Sequence, residues 1–320
     1  MTVAALEISL SRDDRHFTHS EDRIWPETNC YLDLWIEILH ILGHDPVPMF
    51  ACALSVDHDG SQWTFVKPDP SDLRELYGLN VTEEALWRPV LETVESGRNR
   101  GLLHTVEVDS WWLPDTAATE YRNGHVKTTI VPLAVDRTAK RMRYVHNSGV
   151  FDLHGEDFDG IFYLGTTVEW VLPPYVEQIR QQAKRSDKGP LEIARAHLDR
   201  RARVNPVERL ADSVADAITW LPEAGASSFH DWAFVTLRQC GASAEIAADL
   251  SDYLGAHGAP GSESAAPLFR EVAAGAKAVQ FKMARAARGR TVHVTEALEA
   301  MNQQWSQALD ILDDAVAIKL

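Results

Sequence analysis

The chain has 320 residues, 45% of them hydrophobic, and a mean hydropathy of −0.23; this describes a soluble globular protein with room for two domains and excludes a membrane span. A formal charge of −16 opposes general binding to a phosphate backbone. Three cysteines (Cys30, Cys52, Cys240), with no Cys-x-x-Cys pair and no secretory signal, oppose a disulfide framework or zinc knuckle and point to a cytoplasmic protein with a free thiol.

The predicted elements begin with a helix over residues 31–42. Thr28 or Asn29 caps it, Asp33 lies in its first turn, and Gly43 with Pro46 stops it. Leu32, Trp35, Ile36 and Leu39 recur at helical spacing, and Leu34, Ile38, Ile41 and Leu42 widen the stripe until the helix must be buried. Further on, 62–66, 102–108, 126–135 and 142–147 are β-branched or aromatic runs bounded by turns, and read as strands. Residues 71–77 and 82–97 read as helices between them. Seven of the ten tryptophans, Trp170 the last of them, lie in residues 1–170, and from Pro173 the texture becomes Ala-rich and helix-periodic. Helices are expected at 174–184, 191–203, 206–221, 228–239, 242–254, 263–287 and 294–318. The expected fold class is therefore α+β: a domain over 1–170 with its first helix packed on an antiparallel sheet, then an all-α bundle over 171–320. The long helices from Glu263 onward are compatible with a homodimer.

Cys30 stands at the start of the first helix, where unpaired N–H groups and the helix dipole favour a thiolate. A nucleophilic thiol needs a base and a group that orients the base. His125 precedes the strand-like run 126–135, and Asn147 ends the return run after a turn around 136–140, so an antiparallel hairpin with a small bulge brings the two together. Asn147-Ser148-Gly149 reads equally well as a plain turn. His146, next in line, points to the opposite face by strand alternation. Asp109, at a strand end before Trp111 and Trp112, suits orientation of an incoming amine or the capping of a turn, and the two rings suit a pocket wall or core. The backbone N–H of Cys30, with Asn29 and Glu27 nearby in the chain, offers oxyanion donors.

Other chemistries lack their spacing. Asp13, Asp14, His16, His19, His40, His44, Asp45, Asp57, His58 and Asp59 form no His-x-x-x-His or calcium-loop pattern, so no metal is expected. Gly-x-Gly-x-x-Gly, a Walker loop and Gly-x-Ser-x-Gly are absent. Two basic clusters, Arg137/Lys140/Arg141/Arg143 and Arg195/Arg200/Arg201/Arg203/Arg209, read as solvated faces or as a dock for an acidic or phosphate-bearing partner.

Asn29-Cys30-Tyr-Leu-Asp-Leu-Trp-Ile-Glu-Ile-Leu-His-Ile-Leu-Gly43 resembles the nucleophile helix of the butirosin-type acyltransferases, relatives of papain-like and bacteriocin-processing cysteine peptidases. Val106-Glu-Val-Asp109-Ser-Trp-Trp-Leu-Pro114 and Tyr121-Arg-Asn-Gly-His125 resemble that family's strand, Leu-Pro turn and catalytic-His segment. Trp25 to Cys30, Gln62-Trp-Thr-Phe65, His125-Val-Lys-Thr-Thr129 and Gly155-Glu-Asp-Phe-Asp-Gly160 are most similar to a bacterial group encoded beside nonribosomal peptide synthetase genes. The resemblance implies a papain-like domain that moves an aminoacyl or related acyl group from the phosphopantetheine thioester of an acyl or peptidyl carrier protein, through acyl-Cys30, to a small amine or hydroxyl acceptor. It needs no cofactor, uses His125 as base, and places Asn147 where relatives tend to carry Asp. A hydrolase (peptidase, amidase or thioesterase) using the same residues, and a non-catalytic partner of a synthetase or carrier, are the alternatives.

Overall fold

A computed structural model describes residues 15–165, 173–182 and 188–317. Asp13, Asp14, Trp170 and the expected boundary near residue 170 lie outside them. The chain forms two compact units interleaved in sequence. Within the described residues, the first comprises 15–19, Cys30–Pro46, 69–165 and 173–182; the second comprises Ser20–Asn29, Val47–Pro68 and 188–317.

The first unit is α+β. Helix α1 (Cys30–Ile41) is buried almost all round, as its apolar run requires, and packs against strands β3 (Lys127–Asp136) and β4 (Arg141–His146). Asp33 and Glu37 are carried into the interior with it. His19, itself buried, answers both: Nδ1 lies 2.7 Å from Glu37 and Nε2 3.4 Å from Asp33. Helix α2 (Pro70–Tyr77) is capped by the Asp69 carboxylate on the Ser71 N–H and ends at Gly78, whose φ of 70° turns the chain directly into β1 (Leu79–Glu83). Residues 82–97 do not form one helix. Pro89 has no N–H to donate and its ring obstructs a preceding turn, so α3 spans only Val90–Asn99.

Among the described residues the sheet has six strands, all antiparallel, in the order β1, β6 (Val176–Gln181), β2 (Leu103–Asp109), β3, β4 and β5 (Gly149–His154). The expected helix at 174–184 is a correction: Val-Glu-Gln-Ile-Arg-Gln is a strand because β1 and β2 supply ladder partners on both its edges, and that tertiary gain outweighs local propensity. The β3–β4 hairpin carries the expected bulge, between Pro132 and Ala134. On one face Val106, Val108, Ile130, Met142 and Tyr144 form a core with Leu91 and Val94 of α3 and with Phe158 and Ile161 of α4 (Glu156–Ile161).

Gly97 lies against His104. A Cβ built at 97 falls 1.9 Å from the His104 ring, and that ring is buried and unable to withdraw. Gly97→Ala is expected to cost roughly 1–3 kcal/mol by overpacking. Chemical denaturation checks this, and a change below about 0.5 kcal/mol contradicts the packing.

The second unit is helical: α5 (Pro190–Asp199), α6 (Pro206–Ala233, kinked at Gly225), α7 (Gln239–Ala256), α8 (Ala266–Ala286) and α9 (Thr295–Ala317). Its core includes Trp63, Trp305 and Phe269, with rings edge-on at 5.6 and 5.3 Å. Residues 62–66 are not a regular strand, since only an isolated His58–Trp63 bridge forms. Trp63 instead donates its N–H to the Val235 carbonyl at 2.8 Å, within a π turn over Phe234–Arg238, a geometry that releases carbonyls from the helical ladder. No helix among the described residues is long and apolar enough to cross a membrane.

Candidate functional site

Of the three cysteines, Cys52 and Cys240 are buried, and burial pushes the Cys240 thiol well above its ordinary range. Cys30 is partly exposed as the first residue of α1. Its thiol is nevertheless raised above the ordinary value, chiefly by burial and further by the charge of Asp33. A hydrogen bond with the Thr128 side chain, the Lys127 ammonium and the backbone N–H of Cys30 itself all act the other way. The helix start therefore does not by itself yield a resting thiolate, as its dipole suggests from sequence, because desolvation of the charged form outweighs it. A base that takes the proton during attack would favour reaction of such a thiol.

Two histidine–carboxylate pairs lie in this unit. His125 places Nδ1 2.6 Å from the Asp109 carboxylate and stacks on Trp111 with ring centroids 4.7 Å apart and planes 8° from parallel. The same carboxylate caps the turn after β2 by accepting from the Trp111 N–H. The imidazole is 70% exposed. Burial, and after it the charge of Asp109, raises the Tyr163 phenol above its ordinary value. Asp109 thus orients His125, the part expected of Asn147. Trp112 packs against the core and lies under the Arg122 guanidinium, 4.4 Å from ring centroid to Cζ.

The Asn147 expectation is corrected by register. Ile130 pairs with His146, so an antiparallel ladder extended by one residue sets Asn147 opposite position 129, four residues past His125. Asn147 instead occupies the two-residue turn between His146 and Gly149, at a φ of 45°. Asn29 donates its side-chain amide to the Val66 carbonyl at 2.7 Å, and Glu27 lies 3.4 Å from Arg238, so both side chains serve the second unit.

The second pair is His146–Asp115, set aside in the sequence on alternation. It is almost fully buried, at 1% and 5% side-chain exposure, with Nδ1 2.5 Å from Asp115. The Tyr144 hydroxyl donates to the other carboxylate oxygen at 2.5 Å, and burial with that charge raises the phenol, keeping it a donor. Nε2 of His146 lies 2.8 Å from the Thr128 hydroxyl. Because 130 and 146 are cross-strand partners, residues 128, 130, 144 and 146 share one face. Alternation does separate His146 from Asn147, and His146 is on the side that meets Thr128. Asp115 was missed because it lies 31 residues away in a turn after β2.

The basic clusters are largely matched inside their own units. Arg137 pairs with Glu95 and Lys140 with Asp159; Arg195 and Arg201 converge on Asp313, and Arg209 pairs with Asp57. Among the described residues no group of three or more His, Cys, Asp or Glu side chains is arranged to hold a metal ion.

Residues 14–181 match the family model described as the DUF1839 N-terminal domain, and residues 183–314 match that of the DUF1839 C-terminal domain. The chain belongs to the DUF1839 family. No curated protein matches it. The DUF1839 N-terminal match takes in Cys30, Thr128, both histidine–carboxylate pairs and the sheet that positions them; the C-terminal match covers helices α5 to α8 and most of α9.

Proposed function

We propose that this chain is a cysteine-dependent acyltransferase built on a papain-like N-terminal domain. The observation that carries the reading is the Cys30 thiol, partly exposed at the first turn of a buried helix laid on β3 and β4, in the same unit as two histidine–carboxylate pairs. In the proposed cycle the sulfur attacks the carbonyl of a carrier-protein thioester, the carrier thiol leaves, and an amine or hydroxyl acceptor then displaces Cys30 from the acyl group. His125, exposed and held by Asp109, is the proposed base for that acceptor, with Trp111 fixing the plane of its ring. Thioester-to-amine exchange is downhill and needs no cofactor. A cytoplasmic location belongs to the same proposal, since the reaction needs a reduced thiol.

Mixing the chain with aminoacyl- and acyl-loaded carrier proteins and reading intact mass is expected to show one acyl adduct, mapping to Cys30, that disappears when an amine acceptor is added. Decay of the adduct to free acid in water alone would assign the same residues to a hydrolase. Absence of any adduct across carriers, while iodoacetamide still labels Cys30, would sink the reading.

A further inference from the structure

We propose that Glu177 is a positioning residue for the nucleophile: through the Tyr31 hydroxyl it pins the first turn of α1, and Cys30 with it; this rests on the acyltransfer reading above. Tyr31 follows Cys30 in the chain and shares its helical turn. Its hydroxyl donates to Oε2 of Glu177 at 2.6 Å. Helix α1 lies on β3 and β4, whereas Glu177 belongs to β6 with β2 between, so the Tyr31 side chain carries the hold from the helix start to a distant strand of the same sheet.

Register decides which face the carboxylate occupies. Val106 pairs with Val176, and both join the core shared with α3 and α4; Thr105 and Glu177, the next pair along, therefore point to the other face, where Tyr31 meets them. There Glu177 collects three hydroxyls, Tyr31 and Thr105 on Oε2, the latter at 2.9 Å, and Tyr175 on Oε1 at 3.3 Å. The residue is only 8% exposed, and among the described residues no Lys, Arg or His forms an ion pair with it. A buried carboxylate without a cation is a costly filling for a position that an apolar side chain could pack. What it supplies is direction, a fixed acceptor for one phenol. Burial and the Glu177 charge push that phenol above its ordinary range, so it keeps its proton and remains a donor.

A helix start needs such a hold. Its first N–H groups have no intrahelical partner, and helix ends fray. Opening the turn at Cys30 would move the sulfur together with the backbone N–H that can serve the oxyanion, and attack on a thioester carbonyl depends on both being in place. The Tyr31 ring also meets Trp35 edge-on at 6.5 Å between centroids, so loss of the hydroxyl alone leaves that ring contact standing.

Closure of the first turn is read without substrate from hydrogen exchange of the Leu34 amide, whose helical acceptor is the Cys30 carbonyl, with the Leu39 amide as internal reference and near-UV circular dichroism reporting the fold. Tyr31→Phe is expected to speed Leu34 exchange about tenfold with Leu39 unchanged, and to slow acyl-adduct formation at saturating loaded carrier about tenfold with the carrier KM unchanged. Glu177→Gln is expected to keep wild-type values, because the amide carbonyl can take the place of Oε2 and its NH₂ can donate to the Tyr175 oxygen. Thr105→Val, which removes a different hydroxyl from the same carboxylate, is expected to leave both rates near wild type. An equal loss in Thr105→Val makes the network merely structural and overturns the proposal, as does an unchanged Leu34 rate in folded Tyr31→Phe or failure of Glu177→Gln to keep the wild-type values. Adducts formed at the wild-type rate by Tyr31→Phe would refute the tether alone; faster Leu34 exchange in that variant, with no adduct even in the wild type, would refute acyl transfer alone.

Discussion

Replacing Cys30 with alanine is expected to abolish acyl transfer, by a factor on the order of 10⁴ or more, while leaving the unfolding midpoint nearly unchanged. The size of the first effect follows from the chemistry, since no other described cysteine is exposed enough to take over: Cys52 and Cys240 are both buried. The smallness of the second follows from position. Cys30 is the first residue of its helix and is only partly buried, so its side chain carries little of the core. Activity assayed with the loaded carrier and acceptor, set beside urea denaturation of the same preparation, checks both halves. A variant that keeps its activity would leave only a binding role for the first unit.

Replacing His19 with glutamine is expected to destabilise the chain by about 3 kcal/mol near pH 6.5, the range for breaking a buried ion pair from one side. Asp33 and Glu37 are carried inward by a helix that is apolar on nearly every side, and His19 is the cation between them. Burial alone lowers the imidazole, but hydrogen bonds and charges from Asp33 and Glu37 outweigh it and raise His19 to about 9. The folded value lies above the unfolded reference of about 6.5, so the imidazolium contributes its full stabilisation below that pH. The contribution fades between about 6.5 and 9 and is gone above, a loss of about 3 kcal/mol at 1.36 kcal/mol per unit. Urea midpoints measured across this window should fall with rising pH in the wild type and stay nearly flat in His19→Gln. An equal slope in both would remove His19 from the account.

Much of the fold was legible because it is encoded locally. The helix start at Cys30 follows from an apolar stripe ended by Gly43; strands β2, β3 and β4 follow from β-branched runs bounded by turns; and the C-terminal helices follow from Ala-rich periodic segments set off by Pro190 and Pro206. What escaped was set by partners distant in sequence. Leu79–Glu83 and Val176–Gln181 are strands because they pair with each other, across almost a hundred residues, and nothing in Glu-Gln-Ile-Arg-Gln announces a ladder. The stretch 62–66 has strand composition and no strand neighbour beyond a single bridge, so its Trp63 N–H is taken by a widened helical turn instead.

The same division runs through the site. Local sequence was enough to pick out Cys30 as the thiol to watch and to single out His125 and Asp109 separately; that the two meet follows from the sheet, where Asp109 and Lys127 are register partners. It did not decide which carboxylate orients His125, or which histidine stands behind Thr128. Those depend on where the β3–β4 bulge falls, since one extra residue shifts every cross-strand partner, and on a turn that delivers Asp115 to a strand 31 residues later. By itself the sequence determined the first helix, most of the C-terminal helices and the central strands, all readable from neighbours within a few residues. Only the tertiary structure decided the proton partners, because hydrogen bonds between strands depend on register and facing, and both are properties of the assembled sheet.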